Sequence, residues 1–403
     1  MASIVLPIMS ALMIIVTGAL LHEMRSIKPR VLVPQSTAVN RTEGPCMNES
    51  MDACVATREC TWCMSNTMCQ PRGAPGCENW CGQPYFMIEM EPGGGFTNQK
   101  MATIAATLVA RQFNGVLVAP RFMSRTKIEF PANAERVLHY RLDELFDPGF
   151  YDTMAPHACV TRTERELGAP VRPNVLKYST RPYEAWAQVL TPLLNDSNVI
   201  HLDYPGMGYE VSSLAWARDL YHIILSAMRP APSQQALVTH LLATMQCTAA
   251  IHLRVEDDMV TNFPDRLPNL EAMLRHLQPV AAQRVYVATG LHKSASDLVS
   301  TRYTSALCQL VVCVWKEDLL ANYTGVYDDR LFDVSASIDY EILLTLPMVY
   351  LTRYSSVDWL VALTRQRDHS KHHLFYDSAT ASGPLQDLPI DAKGFPDPIL
   401  ASA

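Results

Sequence analysis

Residues 85–120 read YFMIEMEPGGGFTNQKMATIAATLVARQFNGVLVAP. Two short apolar runs flank a segment, beginning at Lys100, whose apolar residues recur at helical spacing, and Asn114-Gly115 is a normal helix stop. Three consecutive glycines stand at the turn between the first apolar run and the helix. The order of strand, glycine turn, helix and strand predicts a βαβ unit with parallel strands.

The alternation of short apolar runs with helical patterns continues through most of the chain. The further runs are apolar almost throughout, as strands covered by helices on both faces would be. A helix-breaking segment, RPAPS at residues 229–233, separates two helical patterns, and we interpret it as a domain boundary. The sequence therefore predicts two α/β domains, residues 84–230 and 231–385, before a proline-rich tail at 386–403. The further apolar runs are residues 199–204, 249–254, 284–290 and 310–315.

The amino-terminal segment is apolar. Residues 3–21 contain no charged side chain, and their number is about that needed to cross the hydrocarbon core of a bilayer. Residues 1–22 are therefore predicted to be a membrane anchor or a signal peptide, and residues 23–45 a stem. The basic residues Arg25, Lys28 and Arg30 are typical of a cytoplasmic flank, which conflicts with the lumenal indications that follow.

Residues 46–83 form a cysteine-rich segment with few aliphatic residues, so disulfides must replace an apolar core. The piece CTWCMSNTMC resembles the signature of PSI modules, which are small disulfide-bonded spacers. Zinc held by Cys60 and Cys63 is the alternative, and an oxidising compartment disfavours it. One of the eleven cysteines must stay free or pair between chains. The disulfide candidates are Cys46, Cys54, Cys60, Cys63, Cys69, Cys77 and Cys81.

Four sequons for N-glycosylation begin at Asn40, Asn48, Asn195 and Asn322. Together with the cysteine-rich segment they predict a lumenal body in the Golgi or endoplasmic reticulum, or a secreted one if the amino-terminal segment is cleaved. The formal charge of -7 argues against nucleic acid as a partner.

The segment AAIHLRVEDDM, residues 249–259, delivers His252 and Arg254 at the end of an apolar run. Ligands of open α/β sheets bind beyond the carboxyl ends of the strands. Because the two residues are two positions apart on a predicted strand, their side chains leave the same face of the sheet. A buried arginine at such a place requires a carboxylate or phosphate partner. An internal ion pair with one of the acidic residues 256–258 is the alternative, and the same acidic run could instead hold a metal ion.

The segment at residues 332–368 predicts a helix, a short strand and a second helix capped by Ser355 or Ser356. It thus adds a second strand-to-helix turn rich in hydrogen-bond donors, although helix capping alone would explain both serines. Spacing leaves the glycine turn undecided between an anion cradle and a tight turn that lets the helix pack on the sheet.

Taken in order, GGGFTNQ, IHLRVEDD and SIDYEILLTLP with YSSVDWLVALTRQRD resemble the GDP-fucose protein O-fucosyltransferase family, including its plant and algal branch. The resemblance covers about residues 91–368. It implies an α/β fold of the GT-B type, in which two Rossmann-like domains face a central cleft. In this chain the small disulfide-rich module precedes the two domains. The resemblance implies that the acceptor binds to the N-terminal domain and the GDP-sugar to the C-terminal domain.

The resemblance also implies the site. Arg254 would bind the diphosphate and Asn98 would lie beside the sugar, and we assign both as catalytic. Gly95 stands where the family usually has an arginine, and Val357 stands where an aromatic residue is common. The residues implied to bind GDP-fucose are Gly94, Gly95, Phe96, His252, Asp258, Asp339, Ser355 and Ser356.

The expected reaction is transfer of fucose from GDP-fucose to a Ser/Thr or glycan hydroxyl, with inversion and with neither a metal nor another cofactor. The expected partners are GDP-fucose, a protein or glycan acceptor, and the membrane through the amino-terminal segment. No residue is assigned as general base. Two alternatives remain: a metal-dependent transferase of another nucleotide sugar acting through Glu256 and Asp258, and a degenerate lumenal or cell-surface binding protein.

Overall fold

A computed structural model shows the fold of the chain. All described residues belong to one compact unit, Pro45–Ala403. The predicted anchor and stem therefore lie outside the described residues. Within the described part, no helix is both long and apolar enough to cross a membrane. The structure describes residues 46, 51–56, 60–64, 67–71, 80–82, 84–90, 95–124, 138–161, 183–203, 215–262, 264–290, 298–321, 323, 332–353, 355–365 and 371–376.

Helices and strands alternate after a short strand-rich start. The strands are β1 Cys60–Cys63, β2 Met68–Pro71, β3 Trp80–Cys81, β4 Tyr85–Glu89, β5 Val116–Val118, β6 Phe122–Ser124, β7 Leu138–Tyr140, β8 Cys159–Thr161, β9 Val199–Asp203, β10 Ala249–His252, β11 Arg284–Ala288, β12 Val312–Val314, β13 Met348–Leu351 and β14 His372–Phe375. The α-helices are α1 Met51–Ala56, α2 Phe96–Gln112, α3 Leu142–Leu145, α4 Phe150–Met154, α5 Tyr183–Asp196, α6 Ala215–Ala227, α7 Pro232–Met245, α8 Asp257–Asn262, α9 Leu270–Leu277, α10 Leu298–Leu310, α11 Lys316–Leu320, α12 Phe332–Thr345 and α13 Ser356–Arg365. Pro264–Arg266 and Gln278–Val280 are 3-10 turns.

The cysteine-rich segment forms a small antiparallel sheet in the order β2-β1-β3. Disulfides join Cys46 to Cys60 and Cys54 to Cys69, and Cys63 is also disulfide-bonded. The predicted disulfide scaffold is therefore confirmed for the described cysteines, while Cys77 lies outside them. Because Cys60 and Cys63 are both in disulfides, the zinc alternative has no free thiolate pair.

The disulfide-rich module is covalently linked to the first of two α/β units. The first α/β unit contains the parallel sheet β8-β5-β4-β9 and the second contains the parallel sheet β12-β11-β10-β13-β14. Cys81 forms a disulfide with Cys159 at the start of β8, a link that the sequence did not suggest. The hydroxyl of Tyr85 donates to the carbonyl of Val55, so a side chain of β4 reaches back to α1. The module is thus packed on the parallel sheet that follows it.

Four parallel strands form the first large sheet, in the order β8-β5-β4-β9. Helix α2 begins at Phe96, directly after Gly95 and earlier than the apolar spacing predicted. It ends as predicted, because Asn114 takes φ 51° and the N–H of Gly115 donates to the carbonyl of Ala110 at 2.8 Å. The quoted stretch is therefore a βαβ unit.

Five parallel strands form the second large sheet, in the order β12-β11-β10-β13-β14. One face, which carries Ile251 and Val287, is covered by α9 and α10 in a separate apolar cluster. The other face, which carries Ala250 and Ala288, packs with α12 and α13 in the main core. Two parallel sheets covered by helices, after a disulfide-rich module, confirm the predicted fold class.

The main core runs without interruption from the first sheet to the second. Phe96 on α2 stacks on Phe146 at 5.8 Å between ring centroids and lies 6.4 Å from the ring of Tyr340 on α12. The breaker at residues 229–233 falls between the two sheets along the chain and is hydrogen-bonded to the first unit, since the N–H of Ala231 donates to the carbonyl of Leu145. Side chains of both units therefore share one apolar interior.

The other described cysteines are Cys247, Cys308 and Cys313. Cys308 and Cys313 form a disulfide between α10 and β12. Cys247 is free and buried, and burial raises the pKa of its thiol. Among the described cysteines, Cys247 is the free one, which agrees with the expectation that one cysteine of an odd number stays unpaired.

Candidate functional site

The candidate site lies where two neighbouring parallel strands of the second sheet end. β10 and β13 pair directly, with Ile251 opposite Tyr350. His252 ends β10, and its partner in β11 is Ala288, which faces the main core. Because side chains alternate along a strand, His252 leaves the sheet on that face, and Arg254 lies two residues beyond the end of β10. The helix that follows β13, α13, begins next to them.

A buried carboxylate holds His252. Nδ1 of His252 lies 2.7 Å from Oδ1 of Asp358 on α13. The other carboxylate oxygen of Asp358 accepts from the backbone N–H of Thr352 at 2.8 Å, so both oxygens are engaged. The relative exposures of His252 and Asp358 are 7% and 0%. This pair is the most deeply buried ionisable contact among the described residues of the site.

The surroundings shift the protonation of this pair. Burial acts to lower the pKa of His252, but the charge and hydrogen bond of Asp358, helped by Glu256, outweigh burial and Arg254 and raise the pKa above its usual 6.5. Burial raises the pKa of the Asp358 carboxyl, and His252 and the Thr352 N–H oppose that rise. The pair therefore retains a proton on His252 more firmly than a solvent-exposed histidine would.

Arg254 makes the internal ion pair that the sequence offered as an alternative. Its Nη1 lies 3.1 Å from Oε2 of Glu256, and the Arg254 side chain remains 28% exposed. The backbone N–H of Gly290 donates to Oε1 of Glu256 at 2.8 Å, which fixes the carboxylate. A guanidinium carries five N–H donors, so a contact through Nη1 is compatible with a second anionic partner.

The N-terminus of α13 meets the N-terminus of α2. The helix begins at Ser356, and the carbonyl of the buried Ser355 accepts from the N–H of Trp359 at 3.2 Å, which makes Ser355 the N-cap position. The hydroxyl of Ser356 lies 3.1 Å from that of Thr97 on α2. Two helix ends, each carrying the positive end of a helix dipole, thus converge from the two α/β units.

Gly95, the last of the three glycines, is the N-cap residue of α2. Gly95 takes an extended conformation at φ −63° and offers no side-chain cap. The N–H of Phe96 donates to Oδ1 of Asp333 on α12 at 3.2 Å, while its ring is buried in the core. Asn98, partly buried, lies on the same first turn as Thr97. Asn98 thus lies in the same helical turn as Thr97, which contacts Ser356, and its role in the site stays a prediction. The Phe96 ring packs in the core between the two units.

Asp339 occupies an internal polar cluster. The hydroxyl of Tyr286 on β11 donates to its Oδ1 at 2.5 Å, and Nζ of Lys316 lies 2.5 Å from its Oδ2. The same Nζ donates to the carbonyl of Ser335 at 3.1 Å. Asp339 thus has two strong partners of its own, and its assignment to nucleotide binding stays a prediction.

Two predicted site residues fall outside what the structure describes. Gly94 is among them, and so is the side chain of Asp258, whose backbone lies on α8. Among the described residues, Cys46, Cys60 and Cys69 form the one cluster of three possible metal ligands within 4.8 Å of one another. Their sulfurs are in disulfides, so the cluster belongs to the covalent scaffold.

Three polar residues of this region were missed from the sequence: Thr97, Asp333 and Asp358. A signal for Asp358 was present, because it is the one charged residue in the apolar run VDWLVAL, where an unpaired carboxylate would be costly. Thr97 and Asp333 carry no such local signal. Each makes its contact across the two units, which no spacing pattern records.

No protein-family model matches the chain, and no curated protein matches it. Solved structures of similar fold include POFUT1 in complex with GDP, with a TM-score of 0.45 and 14% identity over 72% of this chain and 97% of that one. NodZ alpha-1,6-fucosyltransferase soaked with GDP-fucose has a TM-score of 0.40 and 15% identity over 70% and 92% of the two chains. A mutant of Arabidopsis thaliana FUT1 in complex with GDP has a TM-score of 0.41 and 11% identity over 70% and 68%.

Proposed function

We propose that this protein is a fucosyltransferase that takes fucose from GDP-fucose and transfers it to a Ser/Thr or glycan hydroxyl. The observation that carries the proposal is the convergence of three chain-distant segments at one place. His252 ends β10 and Arg254 comes two residues later, the Ser355–Ser356 turn follows the neighbouring β13, and Thr97 in the first turn of α2 contacts Ser356. These are the three segments that resemble the O-fucosyltransferase family, including its plant and algal branch.

The chemistry of the convergence suits a diphosphate leaving group. Arg254, a histidine with a raised pKa and the N-terminus of α13 all favour negative charge. When the bond between C1 of fucose and the diphosphate oxygen breaks, negative charge accumulates on GDP. Groups that meet this charge stabilise the transition state more than the ground state, which is how they would accelerate the reaction.

The proposed transfer is inverting and needs no metal. The acceptor oxygen attacks C1 of fucose as GDP leaves from the opposite face, and the hydroxyl proton passes to a base that we do not assign. Diphosphate is a good leaving group, so no general acid is required. Asn98, on the first turn of α2, would orient the acceptor or the sugar. The contact between Glu256 and Arg254 is an argument against Glu256 as a metal ligand.

We further propose that the body works in the lumen of the Golgi or endoplasmic reticulum, held by the amino-terminal segment or secreted after cleavage. The sequons and the disulfides of the module and of both α/β units support a compartment in which cysteines oxidise. The cysteine-rich module would then be a PSI-like spacer between the stem and the transferase.

The test combines binding and turnover in the purified lumenal body. We expect GDP binding by calorimetry, transfer or slow hydrolysis of GDP-fucose, and no change of rate with EDTA. Arg254→Ala should weaken GDP binding and transfer by about a hundredfold or more, because it would remove the proposed charged contact with the diphosphate. Arg275→Ala, at an exposed arginine of α9, is the matched control and should bind GDP like the wild type.

Each failure has its own meaning. A protein that binds neither GDP nor GDP-fucose would refute the proposal. GDP binding without turnover against any acceptor would favour the binding-protein alternative instead. Loss of activity in EDTA, restored by Mn²⁺, would favour the metal-dependent alternative.

A further inference from the structure

Asp358 is a buried carboxylate with no route to a ligand of its own. Its relative exposure is 0%, and the residues that follow it on α13, from Trp359 to Leu363, are buried and apolar. Both of its oxygens are engaged, Oδ1 by Nδ1 of His252 and Oδ2 by the N–H of Thr352. An ionised carboxylate at such a place needs partners of this kind. Asp358 therefore acts on a reaction through the groups that it holds, which are the His252 ring and the backbone of Thr352.

The imidazole is held in one orientation. Asp358 engages Nδ1, so Nε2 is the ring nitrogen left to meet a ligand. The backbone next to the ring is fixed as well, because the hydroxyl of the buried Tyr376 donates to the carbonyl of His252 at 3.0 Å. His252 is thereby presented as a fixed donor at the end of β10, two residues before Arg254.

We propose that Asp358 is a positioning residue that holds His252 through Nδ1, so that His252 offers a charged Nε2–H donor to the diphosphate of the sugar nucleotide. This inference rests on the proposed function. His252 neither loses nor gains a proton during the transfer: it stays an imidazolium while the bond between sugar and diphosphate breaks. Arg254 and His252 would then share the charge that develops on GDP.

The charged groups that face His252 decide its protonation. Asp358 and Glu256 favour the imidazolium, and Arg254 opposes it. The pKa of the ring is raised, so the charge is present below the pKa and is lost as the pH rises through it. GDP affinity should therefore fall with rising pH over this range. A general base at the same position would require the opposite trend, with activity rising as His252 loses its proton.

The first experiment titrates His252 in the ligand-free protein by NMR of its ring carbon and nitrogen signals. Asp358→Asn keeps the shape of the side chain and removes its charge. We expect this variant to lower the pKa of His252 and to change the tautomer at Nδ1. Asp265→Asn, at an exposed aspartate, is the matched control and should leave both unchanged. An unchanged His252 titration in Asp358→Asn would overturn the inference.

The second experiment measures GDP binding by calorimetry from pH 6 to pH 9. Asp358→Asn should weaken binding about tenfold near pH 7, because a charge-assisted hydrogen bond becomes a neutral one. In a His252→Gln background the same substitution should change affinity less than about twofold, since its effect passes through His252. An equal loss in both backgrounds would mean a structural role and would overturn the inference, as would a wild-type affinity that rises with pH.

Two readouts separate this inference from its premise. If wild-type protein fails to bind GDP at every pH, the proposed function fails and the diphosphate role of His252 fails with it, whatever the NMR titration shows. If GDP binds but Asp358→Asn does not fold, the pH profile of His252→Gln decides. We expect that profile to be flat, and a profile as steep as that of the wild type would refute the charged-donor role.

Discussion

Replacing Lys100 by methionine is expected to change how the stability of the protein depends on pH. Lys100 lies on α2 with a relative exposure of 1%. Its Nζ donates to the carbonyl of Met228 at 3.1 Å and lies 4.6 Å from the centre of the Tyr340 ring on α12. Lys100 thus places a charged group in the core shared by the two units.

The magnitude follows from the pKa. Burial lowers the pKa of Lys100 from 10.5 to about 8, although Glu341 acts to raise it. The folded protein therefore binds fewer protons than the unfolded chain between these values, and stability rises with pH through that window. Each pKa unit corresponds to about 1.4 kcal/mol, so the full effect is about 3 kcal/mol, of which about 2 kcal/mol falls between pH 7.5 and 9.5.

The assay is urea unfolding with the disulfides intact, in wild type and Lys100→Met, at pH 7.5 and 9.5. Relative to the variant, the wild type should gain about 2 kcal/mol of unfolding free energy on going to the higher pH. Burial raises the pKa of Glu341 and Lys100 lowers it, so the variant alters this second titration as well. Repeating both measurements in a Glu341→Gln background removes it. A difference between the two proteins that is the same at both pH values would refute the reasoning.

Three further substitutions test the packing. Gly115→Ala should cost roughly 1–3 kcal/mol by urea unfolding, because its Cβ would lie 2.6 Å from the carbonyl oxygen of Pro84 and 2.6 Å from the Phe86 ring; an unchanged midpoint would contradict this close approach. Arg365→Met should cost about 3 kcal/mol or more, since the buried guanidinium donates to the carbonyls of Leu343, Leu346 and His372 among others, whereas Arg275→Met at an exposed position should cost little. Replacing Cys81 and Cys159 together by serine should lower stability by about 4 kcal/mol, because the bond closes a sequence separation of 78 residues, and a loss below 1 kcal/mol would show that the module docks without it.

Local pattern predicted the elements well where neighbouring residues decide the conformation. The apolar runs that became β4, β5, β10 and β11 and the helical spacing of α2 were recognisable because packing against a sheet repeats at a fixed period. The end of α2 was equally visible, since Asn and Gly tolerate the left-handed conformation found at Asn114. The beginning of α2 at Phe96 was not predicted, because residues 97–99 are polar and the first turn therefore lacks the apolar spacing of the rest of the helix.

The amino-acid sequence was sufficient for the fold class, the disulfide-rich module and the segments that carry the candidate chemistry. The sequence did not predict which residues those side chains would contact. His252 and Asp358 are 106 residues apart, and Thr97 and Ser356 are 259 apart. Such contacts depend on strand order in the sheet and on the packing of α2 against α12 and α13, which no local period encodes. The same packing directs Cys81 to Cys159, buries Lys100 between the units and turns Asp358 from an ordinary helix residue into the partner of His252.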